Sequence, residues 1–105
     1  MSQSDHLQLS DTEVAEVRAC LQRYLPGTAV WAYGSRVTGN AKPYSDLDLV
    51  AFAEPGQQAC ISELREAFEE SSLPFRVDLF VWEQMPESFR GNIQACYRVM
   101  QNAVA

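Results

Sequence analysis

The sequence predicts a small α/β (α+β) fold, a mixed β-sheet with helices gathered mainly on one face. Two observations carry this. Short runs rich in β-formers, at 29–33, 46–52 and 75–82, alternate with helical patterns in the order α, β, short α, β, α, β, α. Within those runs apolar and acidic residues alternate, so each strand presents one apolar face and one polar face. A chain of 105 residues supports one modest core. Residues 1–9 read as a flexible leader, and residues 10–105 as a single domain.

The elements follow from local signals. Ser10-Asp11-Thr12-Glu13 has the capping-box pattern that starts a helix, and Val14, Val17, Leu21 and Tyr24 recur at helical spacing until Pro26-Gly27. The run 29–33 is a short apolar strand, central in the sheet. A helical turn is expected over 35–39 and a loop over 40–44, punctuated by Pro43. The strand 46–52 stops at Glu54-Pro55-Gly56. A helix over 57–71 follows, with Cys60, Ile61, Leu64, Ala67 and Phe68 on its apolar stripe. In the strand 75–82, Val77, Leu79 and Val81 share one face, and Arg76, Asp78 and Phe80 the other. Pro86-Glu87 opens a last helix through 95, with Phe89 and Ile93 on its apolar side. Residues 96–101 fit either a continuation of that helix or an edge strand. Trp31, Phe68, Phe75 and Phe80 are assigned to the core. Tyr44 and Trp82 are left for the surface, where either could stack on a base.

Composition narrows the function. The net charge of −6 disfavours direct binding of nucleic acid, which needs a basic face, and suits a basic protein partner. No apolar run is long enough to span a bilayer, and no signal peptide is visible. Cys20, Cys60 and Cys96 have no CxxC spacing and lie on apolar helical stretches, which reads as small core residues in a reducing cytoplasm. The one histidine, His6, sits in the polar leader, so a zinc site is not expected.

The chemistry concentrates between Trp31 and Val50. Asp46 and Asp48 are two apart on a strand and therefore point the same way. Side by side they repel, and a hard divalent cation such as Mg²⁺ resolves that conflict. Asp78 is a third carboxylate, placed mid-strand on a polar face. Gly34-Ser35 precedes them at a turn where the backbone can approach an anion and a hydroxyl is available. Arg36 and Ser45 are further candidates for contacts to phosphate, each with an ordinary alternative: a solvated arginine, and a serine that merely starts the strand or caps a turn. Lys42 reads as a solvated loop charge.

Gly34-Ser35, ten intervening residues and Asp46-x-Asp48 resemble the GS-x10-DxD signature of the DNA polymerase β-like nucleotidyltransferase superfamily. The stretch GSRVTGNAKPYSDLDLV is similar to the corresponding motif of its minimal nucleotidyltransferases, the MNT proteins. Asp78 falls where that family carries its third carboxylate. The resemblance extends from about Val30 to the tail. It implies the nucleotidyltransferase fold, with two Mg²⁺ ions held by Asp46, Asp48 and Asp78 and a nucleoside triphosphate, ATP by preference, gripped at Gly34 and Ser35. It implies transfer of a nucleoside monophosphate to a hydroxyl with release of pyrophosphate, Asp78 helping to deprotonate the acceptor. It further implies a HEPN-domain or other helical protein as partner, with this chain as its antitoxin. No second domain is present to supply an acceptor pocket, so a partner or a second copy in a homo-oligomer must supply it. The alternative reading is a non-catalytic module of the same fold that neutralises a HEPN-type partner by contact. Nucleotidylation of a small molecule is a third and more distant option.

Overall fold

The computed structural model describes residues 7–104. Helix α1 (Asp11–Tyr24) leads into strand β1 (Val30–Tyr33), and the short helix α2 (Ser35–Thr38) follows directly. Strand β2 (Leu47–Ala51), a 3-10 turn at Pro55–Gln57 and helix α3 (Gln58–Glu69) come next. Strand β3 (Val77–Val81), a 3-10 turn at Trp82–Gln84, helix α4 (Glu87–Ala95) and strand β4 (Arg98–Gln101) complete the chain. The sheet order is β3-β2-β1-β4. β1 runs antiparallel to β2 and β4, and β2 runs parallel to β3. Residues 96–101 thus resolve as an edge strand preceded by a break at Cys96, whose backbone is extended.

The capping box forms as the sequence predicts. Ser10 Oγ accepts from the Glu13 amide at 3.1 Å, and Glu13 Oε1 accepts from the Ser10 amide at 2.8 Å. Such a cap is worth about 1 kcal/mol to the helix. The apolar stripes of α1 and α3 then cover one sheet face. Val17, Leu21, Ile61, Leu64 and Phe68 pack with Val30, Ala32, Leu47, Leu49, Ala51 and Leu79 in one core. Leu47 and Leu49 are fully buried, and truncating either to alanine would cost roughly 2–5 kcal/mol. Their burial decides which way β2 faces. A one-residue slip would turn Asp46 and Asp48 into this core. The three cysteines are free and partly buried against it.

The opposite face carries Trp31, Tyr33, Asp48, Val50, Asp78 and Phe80, as the pairings Tyr33↔Asp48, Asp48↔Asp78 and Val50↔Phe80 require. Trp31, expected in the core, lies on this face. Its ring stacks on Tyr97 at 3.9 Å and meets Phe52 edge-on at 4.6 Å. Trp82, expected at the surface, is half-buried in the same cluster, 4.8 Å from Phe52. Phe80, also expected in the core, is 42% exposed, because strand alternation places it beside Asp78 rather than Leu79. Tyr44 is 85% exposed, as the sequence suggested.

Two further expectations are corrected. Residues 7–9, read as part of the flexible leader, are tied down. Leu7 and Leu9 pack against the core, the Gln8 amide donates to the Arg36 carbonyl at 2.7 Å, and Gln8 Oε1 accepts from the Ala41 amide at 2.9 Å. The rest of that leader lies outside the described residues.

Arg36, read as a phosphate contact, is buried with 5% exposure. Its Nε donates to the Ser45 carbonyl at 2.9 Å, Nη1 to the Gln8 carbonyl at 2.6 Å and Nη2 to the Pro43 carbonyl at 3.2 Å. Its guanidinium lies 4.1 Å from the Phe75 ring centre. A planar five-donor fork spreads its N–H groups widely enough to meet three carbonyls from separate segments while a charge is buried. Arg36 therefore fastens the incoming chain, the 40–46 loop and the segment before β3 to α2. Arg36→Lys keeps the charge but cannot reproduce the fork. It should destabilise the protein by about 2 kcal/mol, a fall in Tm on the order of 10 °C. Thermal unfolding checks this, and an unchanged midpoint would return Arg36 to the surface role.

Candidate functional site

The site lies at the end of the sheet where β1 finishes and β2 and β3 begin. Asp48 and Asp78 are register partners on adjacent parallel strands, so both carboxylates leave the same face. Neighbouring strands run about 4.8 Å apart, which keeps the two charges close along the whole pairing. Asp46 precedes β2 by one residue, is exposed, and shares the orientation of Asp48 through alternation. The field of the group shows at Asp48. Partial burial first, then the charges of Asp78 and Asp46, push its pKa up to about 6.

Gly34 brings the turn against this carboxylate. Its backbone has φ 83° and ψ −158°, a region that only glycine occupies freely. A β-carbon at this position would fall 2.5 Å from Asp48 Oδ2. The conformation requires glycine, and a side chain here would in addition force the Asp48 carboxylate to turn away. From here α2 starts at Ser35, with the amides of Val37 and Thr38 donating to the Gly34 carbonyl at 3.0 Å each. The fixed spacing between Gly-Ser and the aspartates in the sequence becomes direct contact between turn and carboxylate.

Ser45 caps a turn, the ordinary alternative to a nucleotide contact. Its Oγ accepts from the Lys42 amide at 2.8 Å, its amide donates to the Lys42 carbonyl at 3.0 Å, and its own carbonyl accepts from Arg36. It closes the tight turn that carries Pro43 and Tyr44. Arg36 and Ser45 together therefore hold the loop that delivers Asp46.

Two residues join the site that the sequence reading passed over. Tyr33 pairs with Asp48 across β1 and β2. Burial, then Asp48, then Asp78, raise its pKa further above the ordinary phenol value, so it stays protonated. Arg76 donates through Nε to Asp78 Oδ1 at 2.8 Å. The signal for both was present: Tyr33 adjoins Gly34, and Arg76 stands two residues before Asp78 on a strand.

Among the described residues no three carboxylate, thiol or imidazole groups are already drawn together tightly enough to hold a metal ion. Asp78 is turned to Arg76, and Asp46 projects from a loop end. The donor chemistry nonetheless fits a hard divalent cation. The candidates are oxygen donors on one face, and burial together with the charges of Asp78 and Asp46 pushes the Asp48 pKa up, a cost that a cation there would relieve.

The strain at Asp48 has a pH signature. Its folded pKa lies above the unfolded value, so the folded state holds the proton more tightly through the window from about 6 down to 3.8. The penalty is absent below that window and complete above it. In chelator, Asp48→Asn should therefore be more stable than wild type at pH 7, by about 1 kcal/mol once solvent screening of a half-exposed group is allowed for. The gain should vanish toward pH 4. Denaturant unfolding of both proteins at the two pH values measures it, and equal stability at pH 7 would remove the account of Asp48 as a carboxylate strained by burial and like charge.

Residues 14–100 match the nucleotidyltransferase domain family. The probable protein adenylyltransferase MntA of Haemophilus influenzae is 45% identical over 102 residues, covering 96% of this chain and 90% of that relative. A solved toxin–antitoxin structure with AMP-PNP superimposes with a TM-score of 0.67 at 16% identity, over 86% of this chain and 73% of that one. A mutant form of the toxin–antitoxin MntA–HpeT gives 0.66 at 14% identity, over the same shares. At such identities the two structures speak for the fold alone. The family match spans most of the sequence and the curated relative is similar along nearly its whole length, and on these grounds the chain belongs to the nucleotidyltransferase domain family.

Proposed function

We propose that this nucleotidyltransferase is a protein adenylyltransferase of a toxin–antitoxin pair. It transfers AMP from ATP to a hydroxyl of a helical, HEPN-type partner in the cytoplasm and thereby neutralises that partner. The observation that carries the reading is the in-register Asp48–Asp78 pair beside the Gly34 turn. The relative named as a probable protein adenylyltransferase, matched along 90% of its length, supports the choice of a protein acceptor.

In this reading Gly34 and Ser35 orient the β- and γ-phosphates through the turn's amides and the serine hydroxyl. Asp46, Asp48 and Asp78 would hold Mg²⁺, which when bound supplies charge neutralisation at the phosphates and acidifies the attacking hydroxyl. The acceptor oxygen attacks the α-phosphorus in line. The bond from that phosphorus to the oxygen bridging to the β-phosphate breaks, and pyrophosphate leaves with the electron pair. The acceptor's proton passes to the Asp78 carboxylate, which sits on an edge strand and so faces an arriving protein. Arg76 must leave Asp78 for this to happen. Its side chain is 76% exposed, so the motion meets no packing.

The roles predict different losses. Asp78→Asn should keep binding of Mg·ATP and lower transfer at least ~100-fold. Asp48→Asn should lose both. Ser35→Ala should weaken binding by about 1 kcal/mol, roughly fivefold. Calorimetric titration of each variant, with mass spectrometry of the partner for added AMP, separates these. Full transfer by Asp78→Asn would overturn the mechanism, and a complex with no transfer by wild type would leave neutralisation by contact.

A further inference from the structure

We propose that the outer edge of β3 is the docking site for the acceptor segment of the partner protein. The segment adds to the sheet as an extended strand and places its hydroxyl residue opposite Asp78. This rests on the adenylyltransferase reading above and specifies where the acceptor arrives.

β3 is an edge strand, paired among the described residues with β2 alone. The Leu47 amide donates to the Arg76 carbonyl at 2.9 Å, so residues 76, 78 and 80 turn their backbone groups toward β2. Residues 77, 79 and 81 then turn theirs outward. The Leu79 carbonyl is capped from the outside by Arg65, through Nε at 3.1 Å and Nη2 at 2.8 Å. The Val77 carbonyl and the Leu79 amide remain directed outward, one on each side of Asp78. An exposed strand edge with open groups is a template for strand addition.

A groove of about 640 Å³ runs along this edge between β3 and α3. Phe68, Leu73, Phe75 and Phe80 make its apolar lining, and Arg76 and Asp78 stand where it meets the site. The groove and the site thus share a carboxylate, which is the reason to assign the acceptor rather than another ligand.

Strand alternation gives the chemistry of the segment. Side chains opposite Arg76, Asp78 and Phe80 all fall on the site face. Phe80 is 42% exposed and calls for an apolar residue opposite it. Asp78 takes the hydroxyl residue. Arg76, whose guanidinium is in solvent apart from its bond to Asp78, takes a carboxylate. That third contact draws Arg76 off Asp78 at the moment the hydroxyl arrives. The occupant is a protein segment with a carboxylate, a hydroxyl and an apolar residue at alternate positions.

The test uses the full chain with a HEPN-type protein, the class of partner proposed above, read by residue-resolved amide exchange and by affinity. Exchange at Leu79 should slow at least tenfold in the complex. Phe80→Ser should weaken the complex at least tenfold while leaving Tm and Mg·ATP affinity as in wild type, and Phe80→Leu should restore it. Unchanged exchange at Leu79 in the complex, wild-type affinity for Phe80→Ser, or no complex at all would each overturn the docking site. A protected edge without AMP transfer would uphold the docking site and refute the catalytic reading, so the two fail separately.

Discussion

Everything at the site depends on the parallel pairing of β2 with β3. That pairing sets Asp48 opposite Asp78 and so places like charges where the protein alone gains nothing from them. The register is enforced from the other face, where Leu47, Leu49 and Leu79 are buried under α1 and α3. Core burial worth several kcal/mol thus holds a partly buried, crowded carboxylate at Asp48 that costs about 1 kcal/mol. Burial outweighs repulsion, and the sheet delivers its carboxylates already oriented. A functional site that costs stability locally and is held in place from elsewhere is what consistency across levels leads one to expect.

Around that pair the chain is fastened rather than merely looped. Gly34 lets the turn press against Asp48, whose carboxylate a β-carbon would displace. Arg36 gives its donors to three carbonyls and fixes the loop that carries Asp46. Tyr33 closes the site on the β1 side. The β3 side stays open, with an exposed Phe80 and a strand edge. An enzyme with one closed and one open flank has a defined direction from which a protein acceptor can come.

Most of the fold was legible because its signals are local. The capping box at Ser10 and Glu13, the stripes of α1 and α3, and the alternation in β2 and β3 each need only a few neighbouring residues. The candidate carboxylates were legible for the same reason, since Asp46 and Asp48 carry their shared orientation in their spacing. What escaped was decided by tertiary contact. Arg36 looks like any arginine after a Gly-Ser turn until Gln8, Pro43 and Ser45 bring their carbonyls to it from three separate places. Phe80 looks like core until the face it shares with Asp78 proves open. Trp31 is apolar enough for the main core, but β1 turns it to the other face, where Tyr97 from the far end of the chain stacks on it. Residues 96–101 were ambiguous because an edge strand of four residues has too few positions to show a period.

If the crowded carboxylates exist to be neutralised by a cation carrying a nucleotide, ligand binding must stabilise the fold through them. Thermal unfolding with and without Mg²⁺ and ATP tests this most directly, comparing wild type with Asp48→Asn. At about 100 times the dissociation constant, binding to the folded state alone adds about 2.7 kcal/mol, a rise in Tm on the order of 10 °C. Wild type should show that rise with both ligands present, and Asp48→Asn should show none. An equal rise in the two proteins, or none in wild type, would contradict the metal-site reading.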